Sequence, residues 1–166
     1  KLGITAGVSL ATQHTEYGQP FTGKFYPSYI TTKTYSNPAE TEVTFDSYDN
    51  QGNILQYTGK NAIKAAFIWD YNLNYPVAKV SGALQSQIAY TSFEADGKGN
   101  WTFTGNKVLD PTAPTGKFGF AATSTITRTS LPAATYIVSY WKKTGTISVN
   151  TFAGTPGRSV NSWTYF

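Results

Sequence analysis

The sequence predicts an all-β protein built from antiparallel strands, and three observations favour that class. Helical periodicity is nearly absent, since only Asn61–Phe67 could sustain a turn or two. Clusters of Gly, Pro, Asn and Asp recur about every ten residues, a spacing typical of hairpins and sandwiches rather than of βαβ units. Aromatic residues make up 16% of the 166-residue chain and charged residues only 13%, so the composition is that of a folding chain.

The first well-defined element is a hairpin. Glu42–Phe45 leads into a turn at Tyr48–Asn53, and Ile54–Thr58 returns. Asp and Asn favour a tight turn, and Gly52 can take a positive φ without steric cost. The sequence therefore predicts two antiparallel strands joined at this turn.

A strand over Ala65–Tyr71 follows. Alternation places Phe67, Trp69 and Tyr71 on one face and Ile68 on the other. Because the three rings carry most of the apolar surface, we expect the aromatic face to be the buried one.

A lapse in the aromatic-rich pattern at Val80–Gln87 marks a boundary between two regions, residues 1–82 and 83–166.

In the second region, Thr123–Thr129 is threonine-rich and is expected to be an edge strand. Thr135–Lys143 carries bulky side chains on both faces, which is typical of a central strand. A turn at Thr144-Gly145 should pair it with Thr146–Phe152 as a hairpin.

The composition argues against an enzyme. With no cysteine, the chain has neither a disulfide framework nor a thiolate zinc site nor a cysteine nucleophile. The one histidine, His14, lies among polar residues, and the chain contains no G-x-S-x-G motif. Glu40 and Glu42 could share one face of a strand, as a glycosidase pair would require, but solvated acidic side chains explain them equally well. We expect no catalytic site.

The charge and hydropathy of the chain limit where the protein can be located and which classes of partner it can bind. The net charge of +4 comes from scattered basic residues, with Lys142-Lys143 the only adjacent pair, so nucleic-acid binding is not expected. The chain has no run of about eighteen apolar residues, so no membrane span is expected. Low charge, no cysteine and no methionine, not even at residue 1, suggest a processed or excised extracellular chain, bacterial and exported.

The segment Phe45–Ile54 resembles one copy of the YD repeat, the Y-D-x-x-G-N/R hairpin of bacterial RHS and teneurin-like surface proteins. Ile68–Val80 and Ile88–Glu94 look like the linker that follows such a repeat. The resemblance covers residues 26–166 and leaves residues 1–25 without an assigned role. It implies that residues 1–82 form a YD-repeat-like antiparallel β region of a large cell-surface protein.

The second region resembles the start of carbohydrate-binding jelly-rolls. Ser92-Phe93-Glu94, Asn100-Trp101 and Tyr136–Lys143 match the S-F-E…W…Y-x-L-S-F-W-A-K progression of those modules. The resemblance implies a jelly-roll-like β-sandwich over residues 83–166, with a structural calcium bound by Glu94. No strand near Phe166 could supply the family's second calcium ligand, and Ile88–Phe166 is short for eight strands. We therefore expect either an incomplete sandwich or one whose missing strands come from a partner or from a continuation of the chain.

Two candidate binding sites follow from the residues themselves. Oxygen ligands of Glu94 and Asp96, within a glycine-rich loop, suit calcium, although Lys98 would repel a cation. Aromatic rings could form a platform for a sugar, with core packing as the competing explanation; the candidates are Trp141, Trp163, Tyr136 and Tyr140.

Three functions remain open on sequence grounds. The first is a non-enzymatic, extracellular structural or adhesive module, a fragment of a large cell-surface protein. The second is a carbohydrate-binding module that holds a polysaccharide or cell-surface glycan on exposed rings. The third is a self-assembling fibre subunit, which pairs β-strands with neighbouring copies or with the rest of its parent polypeptide.

Overall fold

The computed structural model describes residues 3–5 and 8–166 and confirms the all-β class. The chain divides into two compact units, Lys1–Ile88 and Ala89–Phe166. The boundary expected between residues 82 and 83 lies inside the first unit, a few residues before the observed division. None of the helices in the described residues has the length and hydropathy needed to cross a membrane.

The first unit is a seven-stranded antiparallel meander in which each strand pairs with the next one along the chain. Short turns suffice for this topology because neighbours in sequence are neighbours in the sheet. The strands are β1 Gly3–Thr5, β2 Val8–Phe21, β3 Lys24–Thr34, β4 Glu40–Tyr48, β5 Ile54–Gly59, β6 Lys64–Asp70 and β7 Tyr75–Ser81. Single 3₁₀ turns lie at Lys60–Ala62 and Gln85–Gln87. The helical turn considered for Asn61–Phe67 is thus confined to its start, and most of that segment is strand.

The hairpin predicted around Gly52 is confirmed. Tyr48 pairs with Ile54, and the Asp49 amide donates a 2.9 Å hydrogen bond to the Asn53 carbonyl. One Asp49 carboxylate oxygen accepts the Gln51 and Asn53 amides, both at 2.9 Å. Gly52 has a φ of 95°, a conformation that an L-residue with a side chain rarely adopts.

The buried cluster of the first unit lies on one face of the sheet. Ala66 and Ile68 of β6 pack with Ile88 and are 0%, 5% and 8% exposed. The chain reaches this face because residues 83–88 follow β7 and fold back, and the Gln85 amide donates to the Gln56 side-chain oxygen at 2.9 Å. One covering segment therefore determines which face of the sheet is buried.

The expectation that the aromatic face of β6 is the buried one is wrong. Phe67 and Trp69 are only half-buried, and Tyr71 is 43% exposed. Alternation correctly separates these residues from Ile68, but it contains no information about which side the later segment covers. The buried hydrophobic residues of β6 on the side covered by residues 83–88 are instead the small Ala66 and the aliphatic Ile68.

The second unit consists of short strands joined by long irregular segments. Its sheets are β8–β9, β10–β14–β13 and β11–β12, all antiparallel. The strands are β8 Lys107–Leu109, β9 Phe118–Phe120, β10 Trp141–Lys142, β11 Ser148–Val149, β12 Phe152–Ala153, β13 Ser159–Val160 and β14 Trp163–Tyr165. Phe93, Phe103 and Phe120 form a three-ring cluster with centroid distances of 4.9–5.7 Å. Phe103 is 8% exposed, so this cluster is the local core.

Two strand predictions for the second unit need correction. Of Thr135–Lys143 only Trp141–Lys142 is strand, and it pairs with β14 near the C-terminus rather than with Thr146–Phe152. Ile137, expected in a central strand, is 95% exposed. Thr123–Thr129 contributes a single bridge, from Thr127 to Thr102. A pattern with bulk on both faces does not identify a distant partner, and here the partner lies more than twenty residues away.

We predict that Gly52→Ala destabilises the protein more than Gly23→Ala does. Both glycines have a positive φ, so each substitution should cost about 1–2 kcal/mol of unfolding free energy through backbone strain. At Gly52 the new Cβ would also lie 2.7 Å from the Tyr26 ring, which should add about 1–3 kcal/mol. At Gly23 a Cβ would have no neighbour within 4 Å. Urea unfolding followed by circular dichroism measures both, and equal losses would contradict the proposed contact.

Candidate functional site

The sheet of the first unit carries five aromatic rings, in two groups of contacting rings, on the face away from its core. Phe45 pairs with Tyr57 across β4 and β5, and the Tyr57 and Phe67 rings are 5.9 Å apart. At the other end, Phe45 contacts Tyr48 at 6.1 Å, and Tyr48 stacks on Tyr26 at 5.0 Å. We call these five residues the aromatic ladder. Cross-strand aromatic pairs of this kind stabilise a sheet and fix its register.

A hydrogen bond and a cation–π contact support individual rings of the aromatic ladder. The Tyr48 hydroxyl donates a 2.7 Å hydrogen bond to the Pro27 carbonyl, and partial burial raises the pKa of this phenol. The Lys79 ammonium lies 5.8 Å from the Tyr57 ring centroid and 5.5 Å from that of Phe67. All five rings are nevertheless only half-buried. The ladder is therefore an ordered, largely apolar surface.

The acidic and histidine side chains of the first unit form small exposed ion pairs. Lys60 lies 2.7 Å from Glu40 and 3.0 Å from Glu42. A hydrogen bond from Thr32, together with Lys60, lowers the pKa of Glu42, and the two carboxylates raise the pKa of Lys60. His14 lies 3.1 Å from Glu16 at the surface. Lys60 bridges the two glutamates, so this pair does not form a pair of opposed carboxylates around a substrate.

In the second unit, the β10–β14–β13 sheet brings together a second group of rings. Trp141 pairs with Tyr165, with ring centroids 5.3 Å apart and tilted by 58°. The Tyr165 amide donates to the Arg158 carbonyl, and the Arg158 guanidinium carbon lies 5.4 Å from the Trp141 ring centroid. Trp163, two residues before Tyr165, shares its face. We call Trp141, Arg158, Trp163 and Tyr165 the C-terminal patch.

Trp163 anchors this patch to the rest of the unit. Its indole N–H donates a 3.3 Å hydrogen bond to the Thr112 hydroxyl, and its ring lies 3.0 Å from the position a Cβ on Gly119 would occupy. Beside it, the Lys143 ammonium donates to Asp110 at 2.7 Å and to Thr112 at 3.0 Å. The hydrogen bond from Lys143, followed by those from Thr112, lowers the pKa of Asp110 to about 2.

The four residues expected to form a sugar platform occupy three different places. Trp141 and Trp163 share a face, whereas Tyr140 stacks on Phe166 at 5.4 Å and lies on the opposite side of the same sheet. The Tyr136 hydroxyl donates to the Pro132 carbonyl at 3.0 Å, within its own loop. The structure thus groups two of the four residues and adds Tyr165 and Arg158 to them.

Tyr165 and Arg158 lie outside the four residues predicted for the platform, and Arg158 is the one that residue type did not suggest. A signal for it was present, because Asn161-Ser162 is a two-residue turn with φ values of 48° and 70°. Such a turn fixes the hairpin register and places Arg158 opposite Tyr165. Asp110 and Thr112 carried no comparable signal, since their partners Lys143 and Trp163 are distant in the sequence.

The residues expected to bind calcium are used in other ways. One Glu94 carboxylate oxygen accepts the backbone amides of Lys117 at 2.9 Å and Phe118 at 2.7 Å, and thereby positions β9. Asp96 is exposed in the neighbouring loop. Within residues 3–5 and 8–166, no group of three or more acidic or histidine side chains comes together. Calcium at Glu94 and Asp96 stays a prediction.

Comparisons with protein-family models, curated proteins and solved structures found no match to this chain. The site is therefore interpreted from its own geometry.

We predict that Lys143→Gln raises the pKa of Asp110 from about 2 towards its ordinary value of 3.8. Because the folded-state pKa of Asp110 is depressed, its contribution to stability is present above the unfolded value and is lost as the pH falls towards 2. As the pH falls through this range, the unfolding free energy of the Lys143→Gln variant should therefore decrease less than that of the wild-type protein. Carboxyl-detected NMR titration measures the pKa directly. Lys142→Gln is the control, since the Lys142 ammonium lies over the Phe166 ring, and an unchanged Asp110 pKa in Lys143→Gln would contradict the assignment.

Proposed function

We propose that this chain is a non-enzymatic structural or adhesive β-module of a larger extracellular surface protein. Further β-structure of the same parent polypeptide covers its aromatic ladder. The observation that carries the proposal is this ladder: five ordered, half-buried rings on the face of the sheet opposite the core. The resemblance of Phe45–Ile54 to a YD-repeat hairpin is compatible with it, because such hairpins tile larger β-shells.

The apolar character of the ladder supports contact with further protein. Single exposed apolar residues are ordinary on protein surfaces, but a contiguous apolar patch marks a surface for interaction. In the ladder, the pairing of Phe45 with Tyr57 places the two groups of contacting rings next to each other.

One edge of the sheet, at β7, is poorly suited to strand exchange, which favours contact through the face there. β7 lies at the edge of the sheet and carries Pro76 and Lys79. Proline cannot donate to a ladder of hydrogen bonds, and lysine on an edge strand opposes pairing with another chain. A fibre built by strand addition at β7 is accordingly the less favoured alternative.

We predict that the isolated chain self-associates and binds the hydrophobic dye ANS through the aromatic ladder. The double variant Tyr57→Thr/Phe67→Thr should weaken both properties, because it removes two adjacent rings while threonine retains β propensity. Sedimentation velocity over a hundredfold concentration range and ANS fluorescence measure the two effects.

The matched control is Tyr17→Thr/Phe25→Thr, which also removes one tyrosine and one phenylalanine, here outside the ladder and 59% and 65% exposed. Circular dichroism establishes that each variant is folded. A strictly monomeric wild-type chain that binds no dye, or an equal response of the two double variants, would refute the role of the ladder.

A further inference from the structure

The net charge of the protein resides entirely in its second unit. Residues 1–88 contain six basic and six acidic side chains, whereas residues 89–166 contain seven basic and three acidic ones. The first unit is thus neutral and the second carries the whole +4. An anion would therefore be attracted to the second unit rather than to the first.

Most basic groups on this unit whose contacts are known already have a partner. Lys143 is neutralised by Asp110 at 2.7 Å. Lys98 donates to the Phe103 carbonyl at 2.7 Å, and Lys107 donates to the Glu94 carbonyl at 2.6 Å. These contacts orient the three ammonium groups towards their own unit, although only the Lys143–Asp110 pair neutralises a charge.

Arg158 differs from them. Within the described part of the chain, its guanidinium makes a ring contact with Trp141 but no hydrogen bond and no ion pair. The residue is exposed, and Trp141 is half-buried beneath it. A guanidinium carbon 5.4 Å from a ring centroid is within the range of a cation–π contact, which does not use the N–H donors of the guanidinium. Arg158 is therefore an exposed guanidinium with no neutralising partner among the described residues.

The surroundings of Arg158 select among anions. A carboxylate fits the guanidinium in a bidentate manner through two parallel hydrogen bonds. Tyr165, 39% exposed, lies beside Arg158 and offers a ring surface and a hydroxyl. Sugar rings pair C–H faces with aromatic rings and hydroxyls with polar groups. A nucleic-acid backbone would require several converging cations, whereas Lys143, a basic group beside the patch, is paired with Asp110.

We propose that the C-terminal patch binds an acidic glycan, with a uronate carboxylate on the Arg158 guanidinium and the adjoining sugar ring against Tyr165. Trp141 acts as a positioning residue that holds the guanidinium. This binding site goes beyond the structural role proposed above and does not depend on the aromatic ladder.

The test is affinity-gel retardation of the full chain in polygalacturonate, in alginate, in fully methyl-esterified polygalacturonate and in dextran. The esterified polymer keeps the backbone and removes the charge. We expect retardation by the two acidic polymers only. Arg158→Gln should weaken it roughly tenfold or more, the effect of losing a charged hydrogen-bonded pair. Arg158→Lys should restore it in part, since lysine keeps the charge but not the fork.

Lys142→Gln is the matched control, because it removes the same charge from the other face of the same sheet, where the Lys142 ammonium lies 4.5 Å from the Phe166 ring centroid. Its effect should stay within about twofold. Thermal unfolding establishes that every variant is folded. Four results would each overturn the proposal: no retardation by either acidic polymer, equal retardation by the esterified one, equal losses for Lys142→Gln and Arg158→Gln, or tighter binding of single-stranded DNA than of polygalacturonate.

Discussion

One-sided burial of the seven-stranded sheet is the constraint on which the first unit depends. A sheet has two faces, and the short segment that follows β7 is long enough to cover part of one of them. Ala66, Ile68 and Ile88 form the resulting core, which is thin because the covering segment is a single chain with one 3₁₀ turn. Everything on the other face must be stabilised by contacts within that face. The aromatic ladder meets this need, because each ring covers part of its neighbours.

The second unit is stabilised by contacts between side chains more than by strand pairing. Its strands are two or three residues long, so backbone pairing alone fixes little of the chain. The cluster of Phe93, Phe103 and Phe120 supplies a small apolar centre, and Glu94 fixes β9 through two backbone amides. A carboxylate that accepts backbone N–H groups is a stronger acceptor than a neutral group, so it suits a loop-rich unit. The aromatic content of the sequence therefore serves two architectures, a ladder and a cluster.

Local features of the fold could be predicted from the sequence, and long-range ones could not. The hairpin around Gly52 was predictable because its turn residues and both strands are contiguous. Alternation in β6 was also predictable, yet the choice of buried face depended on residues 83–88, whose own pattern is weak. The strand expected at Thr135–Lys143 failed for a related reason: its partner, β14, lies near the end of the chain. Within the C-terminal patch, Trp141 and Trp163 were identifiable by residue type, whereas Arg158 required the register of the last hairpin.

The net charge of the whole chain does not show how unevenly that charge is divided between the two units. Thirteen scattered basic residues in one chain suggest no site, and their scatter argued against nucleic acid. When the charges are counted separately for the two units, which divide after residue 88, the first unit is neutral and the second carries the net positive charge. Within the second unit, neutralisation of Lys143 by Asp110 matters as much as the ring beneath Arg158. Since an ion pair removes one cation from the patch, the field there comes mainly from a single oriented guanidinium, and a single carboxylate is the group that complements it.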